Sequence, residues 1–353
     1  MRKVSAYGNN HSFTSLGPLT IERRDLNADD VQINVLYCGV CHSDIHQSRN
    51  EWFNTNYPCV PGHEIVGRIS AVGGEVTKFA VGETVAVGCM VDSCLSCEPC
   101  REGNEQYCEG PHGCTMTYNG PMKPDGSNTF GGYSKMVVVK DRFVLKVPAN
   151  LQVSAVAPIL CAGITTYSPL KHWKVKEGDH VAVIGYGGLG HMATKLGNAM
   201  GAYVTVISRT PEKSVDALRF GAKKFVLSTD KSAMKELELK FDFALSTIPS
   251  AHNINFYIPI LKKDATLAVV GCLTPFALPT DNSQVAFHRR SVAGSLIGGI
   301  AETQEVLDFC GEHNLLPEVE LIQMERINDA YKRVVESDVR YRFVIDMANS
   351  FKE

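Results

Sequence analysis

An α/β chain in two parts is the fold class that the sequence predicts: a β-rich, barrel-like opening followed by a doubly wound parallel sheet. Three observations carry that expectation. The chain has 353 residues, and roughly 100 to 200 residues per domain suggests two domains, each able to bury a core. Short β-branched segments separated by glycines and polar turns fill the first part. After residue 180, strand and helix patterns alternate, and the first such pair encloses a glycine-rich turn. Hydrophobic residues at 44% and charged residues at 21% are the balance of an ordinary globular protein. A formal net charge of -3 gives no electrostatic reason to expect nucleic acid or anionic lipid as a partner. No apolar run is long enough to span a membrane, and the start turns polar before the apolar core of a signal peptide could form. The 12 cysteines therefore suit a reducing compartment, and the expected location is the cytoplasm.

The first strand pattern is Val31-Gln32-Ile33-Asn34-Val35-Leu36, whose alternation argues for one buried face. It leads into Cys41-His42-Ser43-Asp44-Ile45-His46 and then Pro61-Gly62-His63-Glu64. Thiolate and imidazole are good zinc ligands, and a site that they leave incomplete keeps a position for substrate, so this stretch reads as part of a metalloenzyme. Further strands are expected at Val81 to Val87 and Met136 to Val139.

Between those strands lie Cys94, Cys97, Cys100 and Cys108, spaced Cys-x2-Cys-x2-Cys-x7-Cys. Four thiolates so close together can complete a tetrahedral shell with no open position, as a structural zinc requires. An iron-sulfur cluster is the alternative, although the fourth cysteine comes late and no proline follows it. From Val153 to Gly163 the chain is small and apolar, suited to a helix, and Cys161 within it is a candidate third ligand beside Cys41 and His63.

His180 to Ile184 reads as a buried strand, followed by Gly185-Tyr186-Gly187-Gly188-Leu189-Gly190 and a helix from His191. A G-x-G-x-x-G turn between strand and helix predicts a dinucleotide site. Gly185 makes the turn, Gly187 lets backbone amides approach a pyrophosphate, Gly190 allows close packing, and Gly188 and Leu189 are counted with them as cofactor-binding residues at a helix N-terminus that favours the anion. After the next strand, Tyr203 to Ile207, an acidic residue would select NAD. Ser208-Arg209-Thr210 stands there instead, with Lys213 one turn on. A guanidinium fork, two hydroxyls and a second cation suit a 2'-phosphate, so the expected cofactor is NADP(H). Strands at Phe225, Phe241, Thr266 and Ser291 bring the sheet to about six. The tail beyond Gly299 resembles the opening more than the sheet. The expected domains are therefore 1–154 with 297–353, and 155–296, with a cleft between them.

Gly62-His63-Glu64-x2-Gly67-x5-Gly73-x2-Val76, the four-cysteine lobe, Cys161 and the glycine turn together resemble the zinc-dependent medium-chain alcohol dehydrogenases over essentially the whole chain. Tyr37 to Asp44, Tyr57 to Glu64 and Cys161 to Tyr167 look specifically like the branch of cinnamyl alcohol dehydrogenases and bacterial broad-range aldehyde reductases. The resemblance implies a GroES-like catalytic domain and a Rossmann domain, with Cys41, His63 and Cys161 on a catalytic zinc and Glu64 able to approach it. It also implies NADP(H), pyrophosphate contacts from His42 and Arg342, and a homodimer formed through the Rossmann sheet.

The chemistry so implied is hydride exchange between the nicotinamide and a primary alcohol or aldehyde, aromatic or medium-chain. Ser43 and His46 are the candidate proton relay, Asp44 the acceptor that orients His63, and Trp52 a wall of the substrate site. A polyol dehydrogenase of the same superfamily and a non-catalytic NADP-binding redox sensor are the alternatives. The four-cysteine lobe and the absent acid after the second strand oppose the first, and the assembled ligand and relay residues oppose the second.

Overall fold

The strand Asp30–Val40 is the hub of the first half of the fold, which the computed structural model describes for residues 1–120 and 128–351. Its 11 residues are long enough for one edge to serve two antiparallel partners. Met136–Lys140 runs along Asp30 to Asn34, and Arg342–Asp346 runs along Tyr37 to Val40. The other edge pairs with Ile65–Val72, and the sheet continues through Thr84–Val87 to Leu145–Lys146. Val31, Ile33 and Val35 are all buried, as the alternation predicts. Beyond Arg342–Asp346 lies Val319–Ile322, so strands from the chain's end complete this seven-stranded sheet.

Met1–Cys161 with Gly298–Glu353 make one compact unit and Ala162–Ile297 the other. The division keeps Cys161 in the same unit as Cys41 and His63. Val153 to Gly163 is not one continuous helix. A short helix, Val153–Val156, gives way at Pro158 to the tight turn Ala157–Leu160, and the long helix starts only at Ala162. A proline lacks the amide that helical pairing needs. Cys161 therefore sits at the junction, outside either helix, with φ -130° and ψ -67°.

The second unit is a six-stranded parallel sheet. Its order is Lys224–Leu227, Tyr203–Ser208, His180–Ile184, Phe241–Ser246, Leu261–Val269, Ser291–Gly294. In chain sequence that is 3-2-1-4-5-6, the order of a dinucleotide-binding Rossmann sheet, and the strand order reverses beside His180–Ile184. Ile184, Ile207, Val226, Phe241, Leu261 and Leu267 belong to one apolar cluster. No single helix among the described residues is long and apolar enough to cross a membrane.

Candidate active site

Strand register brings the first two ligand candidates together. Cys38 pairs with Ile65 across the antiparallel strands, and the Gly39 amide donates to Glu64 O at 2.9 Å. The chain leaving one strand at Cys41 and the chain entering the other at His63 thus meet at the same end of the sheet. Cys41 caps the helix His42–Ser48, and the Asp44 side chain reaches back to accept the Cys41 amide at 2.7 Å. That capping box fixes where the thiol points.

Cys41, His63, Glu64 and Cys161 are all buried, with their donor atoms within 4.8 Å of one another. The two sulfurs are 3.8 Å apart. For a tetrahedral zinc with Zn–S of about 2.3 Å, the sulfur–sulfur edge is about 3.8 Å, so the pair fits that ion. The Cys161 thiol hydrogen-bonds Cys41, and this sharing of one proton holds the Cys41 pKa well below the usual thiol value and Cys161 well above it. One thiolate is thus favoured before any metal binds. Burial works against a proton on His63, but the Asp44 carboxylate together with Cys89 and Cys41 outweighs it and raises the ring's pKa well above the imidazole value. Asp44 Oδ1 lies 3.1 Å from His63 Nδ1, so Nδ1–H donates to the carboxylate and Nε2 is left as the ligand atom. Metal binding must then displace protons from both thiol and ring.

Burial pushes the Glu64 carboxyl up to about 8, against the pull of Arg342. Arg342 Nη2 is 3.2 Å from Glu64 Oε1, and its Nη1 donates to Val40 O at 3.4 Å. The resemblance implies a phosphate contact for Arg342, and in this structure the buried guanidinium faces Glu64. His42 and Ser43 are half-buried on the same helix. Burial, helped by His46 at 4.9 Å between ring centroids, lowers the His42 pKa. His46 is half-buried, its Nδ1 bonded to Glu51, and Trp52 packs on it at 5.4 Å.

The lobe is a second donor set. Cys94, Cys97, Cys100 and Cys108 also lie with their sulfurs within 4.8 Å of one another, Cys94 Sγ and Cys100 Sγ 3.9 Å apart. That edge matches one tetrahedral ion and leaves no room for a multi-iron cluster. Backbone amides point at the sulfurs: Cys97 N to Cys94 and Cys94 N to Cys108 at 3.3 Å, Glu109 N to Cys97 and Gly110 N to Cys108 at 3.4 Å. Amides of Ser96 and Cys97 lower the Cys94 pKa to about 5, while burial pushes Cys100 up to about 12. Such donors stabilise thiolates, as a closed zinc shell needs.

In the other unit the glycine turn has the expected form. Gly185 has φ +90°, which an L side chain rarely adopts, and a Cβ on Gly190 would come within 2.3 Å of Gly185 O. A Cβ on Gly187 would meet nothing within 4 Å, so that face is open for a pyrophosphate. The helix begins at Gly188, earlier than the His191 expected, so Gly188 and Leu189 lie in its first turn. Arg209 is exposed and has no ion-pair partner among the described residues. Ser208 is buried and its Oγ accepts the Thr210 amide at 3.4 Å. Lys213 is buried, and its Nζ donates to Tyr186 O at 3.0 Å inside the glycine turn. Its charge braces the loop.

Sequence reasoning missed the aromatic residues around the metal candidate. Tyr118 packs its ring 5.6 Å from His63, and Tyr133 donates its hydroxyl to Asp44 at 3.3 Å. Both come from distant segments, and no local spacing marks them.

Two family descriptions match the chain: "Alcohol dehydrogenase GroES-like domain" over residues 27–149 and "Zinc-binding dehydrogenase" over 188–312. The aldehyde reductase YahK of Escherichia coli is 48% identical over 346 residues, covering 98% of both chains. NADP-dependent alcohol dehydrogenase C of Mycobacterium bovis is 50% identical, covering 99% of each. Among solved structures, a cinnamyl alcohol dehydrogenase of Sorghum bicolor superposes with a TM-score of 0.95 at 42% identity, over 100% of this chain and 99% of that one. The chain belongs to the zinc-dependent medium-chain alcohol dehydrogenase family. Within it, the chain falls in the branch of cinnamyl alcohol dehydrogenases and NADP-dependent aldehyde reductases.

Proposed function

We propose that this protein is an NADP(H)-dependent alcohol dehydrogenase or aldehyde reductase in which Cys41, His63 and Cys161 hold a catalytic zinc and the four lobe cysteines a structural one. The observation that carries this reading is the buried cluster of two thiols, one imidazole and Glu64, whose sulfur spacing suits a tetrahedral ion. When bound, zinc supplies Lewis acidity at an alcohol or aldehyde oxygen, and NADP(H) takes or gives the hydride. The residues of the chain do the rest. Cys41 and Cys161 as thiolates with neutral His63 bring two negative charges, which balance the ion and leave one position for substrate. Asp44 fixes the ring of His63. Glu64 stands among the ligands with its carboxyl 3.2 Å from the Arg342 guanidinium, and on losing its proton it can take a place during ligand exchange. Ser43 passes a proton between substrate and His46, and His46 delivers it outward past Glu51.

The division at Cys161 supports a catalytic domain of the two terminal segments and a separate cofactor domain. Gly185, Gly187, Gly188, Leu189 and Gly190 receive the pyrophosphate, the open face at Gly187 supporting that role. Arg209, with Thr210 and Ser208, reads the 2'-phosphate, and Lys213 keeps the turn in shape. The relatives named NADP-dependent support that cofactor choice. Trp52, half-buried against His46, supports aromatic and medium-chain substrates. Twelve cysteines with no disulfide among the described residues support a reducing, cytoplasmic location. A homodimer is proposed on the family and on exposed Leu273, Phe276 and Leu278, which follow the strand Leu261–Val269.

A screen of benzaldehyde, cinnamaldehyde, hexanal and acetaldehyde with NADPH and with NADH, read at the nicotinamide absorbance, tests the proposal. Preferred turnover of the larger aldehydes with NADPH is expected. Equal efficiency for acetaldehyde and benzaldehyde would remove the role given to Trp52, and a preference for NADH would remove that of Arg209.

A further inference from the structure

Asp44 is completely buried, and both its oxygens are occupied by donors from three separate parts of the chain. Oδ1 lies 3.1 Å from the Gly62 amide and from His63 Nδ1. Oδ2 accepts the Cys41 amide at 2.7 Å and the Tyr133 hydroxyl at 3.3 Å. A carboxylate shut away from water keeps its orientation only while its lone pairs are filled by protein. Three of those donors belong to the ligand-bearing loops themselves. The fourth comes from a residue 89 positions along the chain from Asp44.

Tyr133 grips the ligand loop at two further points. Its amide donates to Pro61 O at 3.0 Å. Its ring lies so close to Gly62 that a Cβ there would come within 2.7 Å of Cδ1, and Gly62 has φ +102°. Its own carbonyl accepts the Tyr7 amide at 2.7 Å, which anchors it to the N-terminal hairpin. The side chain is fully buried, and that burial, with Asp44 nearby, raises its pKa well above the phenol value, so the hydroxyl remains a donor.

We propose that Tyr133 is a positioning residue for the catalytic zinc: it holds Pro61-Gly62-His63 in place and, through Asp44, fixes the direction in which His63 Nε2 points. The proposal rests on His63 as a zinc ligand. Phenylalanine would keep the ring and its packing but leave Oδ2 one donor short, so the hydroxyl can be tested without emptying the site. Loss of a residue that orients a metal-bound histidine weakens metal retention by about 10 to 100-fold. Tyr133 acts one bond further out, and an effect of about fivefold is expected.

The test is release of zinc from the holoenzyme to excess 4-(2-pyridylazo)resorcinol, followed by absorbance, for wild type, Tyr133→Phe and Cys161→Ala. The phase missing in Cys161→Ala identifies catalytic zinc, and the remaining phase reports the lobe. Tyr133→Phe should accelerate the catalytic phase about fivefold and leave the lobe phase unchanged. A cobalt-substituted catalytic site should show altered d–d bands in the same variant. A catalytic phase that is unchanged or slower, or acceleration of both phases alike, overturns the proposal, because a general loosening of the fold would affect both ions. Failure of the ligand assignment looks different: the wild type would then release one zinc, and Cys161→Ala would remove no phase.

Discussion

Replacing Arg209 by alanine isolates the part of cofactor binding that distinguishes NADPH from NADH. Arg209 follows the strand Tyr203–Ser208, is exposed, and has no ion-pair partner among the described residues. Its guanidinium is thus available to a 2'-phosphate without first breaking an internal pair. A hydrogen bond to a charged group contributes about 1.5 to 3 kcal/mol, and solvent screening at an exposed residue favours the lower end. About 1.5 kcal/mol corresponds to roughly a tenfold rise in KM for NADPH. The NADH value should stay where it is, since NADH has no phosphate at that position. Initial rates with both cofactors at saturating aldehyde give the comparison, and the effect on NADPH should shrink as salt is raised. An equal change for both cofactors, or none for either, would refute the assignment of Arg209 to the 2'-phosphate.

Two further outcomes follow from other parts of the structure. Cys100→Ser should reduce the zinc content from two ions per chain to one and lower the melting temperature, because the closed lobe shell stabilises that loop by metal binding; metal analysis with calorimetry checks both. Asp30 is buried, bound by both terminal nitrogens of Arg24 and by the Asn27 amide at 2.7 Å. Burial raises its pKa, but the Arg24 and Asn27 bonds outweigh that and leave it below the usual carboxylate value. A depressed folded pKa contributes stability that is complete above the unfolded value and lost as pH falls through the folded one. Asp30→Asn should cost about 2 kcal/mol at pH 7, with Arg24 partly solvated, and the gap to wild type should narrow below about pH 4. A gap independent of pH in thermal melts would contradict this.

What could be read from the sequence was whatever lies within one local pattern. The four lobe cysteines occur within fifteen residues, and their spacing alone states the shell that the sulfurs form. The strand, glycine turn and helix around Gly185 are likewise contiguous, and Arg209 follows from its place after the second strand. Cys161 needed more, because it joins Cys41 and His63 only through tertiary packing and because Pro158 breaks the helix expected across it. Lys213 is a related case. Spacing put it one turn on from Arg209, and the 3-10 turn Pro211–Lys213 directs its chain to the Tyr186 carbonyl. The partners of Arg342, Tyr118 and Tyr133 arise from strand pairing and loop packing between distant segments, for which one sequence carries no signal.

Metal content measured alongside activity tests the central claim most directly. Wild-type protein and Cys161→Ala would be analysed for zinc per chain, for NADPH-dependent aldehyde reduction and for NADPH binding by fluorescence. Two zinc ions falling to one, with reduction abolished and NADPH still bound, is the predicted result. A variant that keeps both ions, or that reduces aldehydes at the wild-type rate with one, would contradict the assignment of Cys41, His63 and Cys161 as the catalytic zinc site.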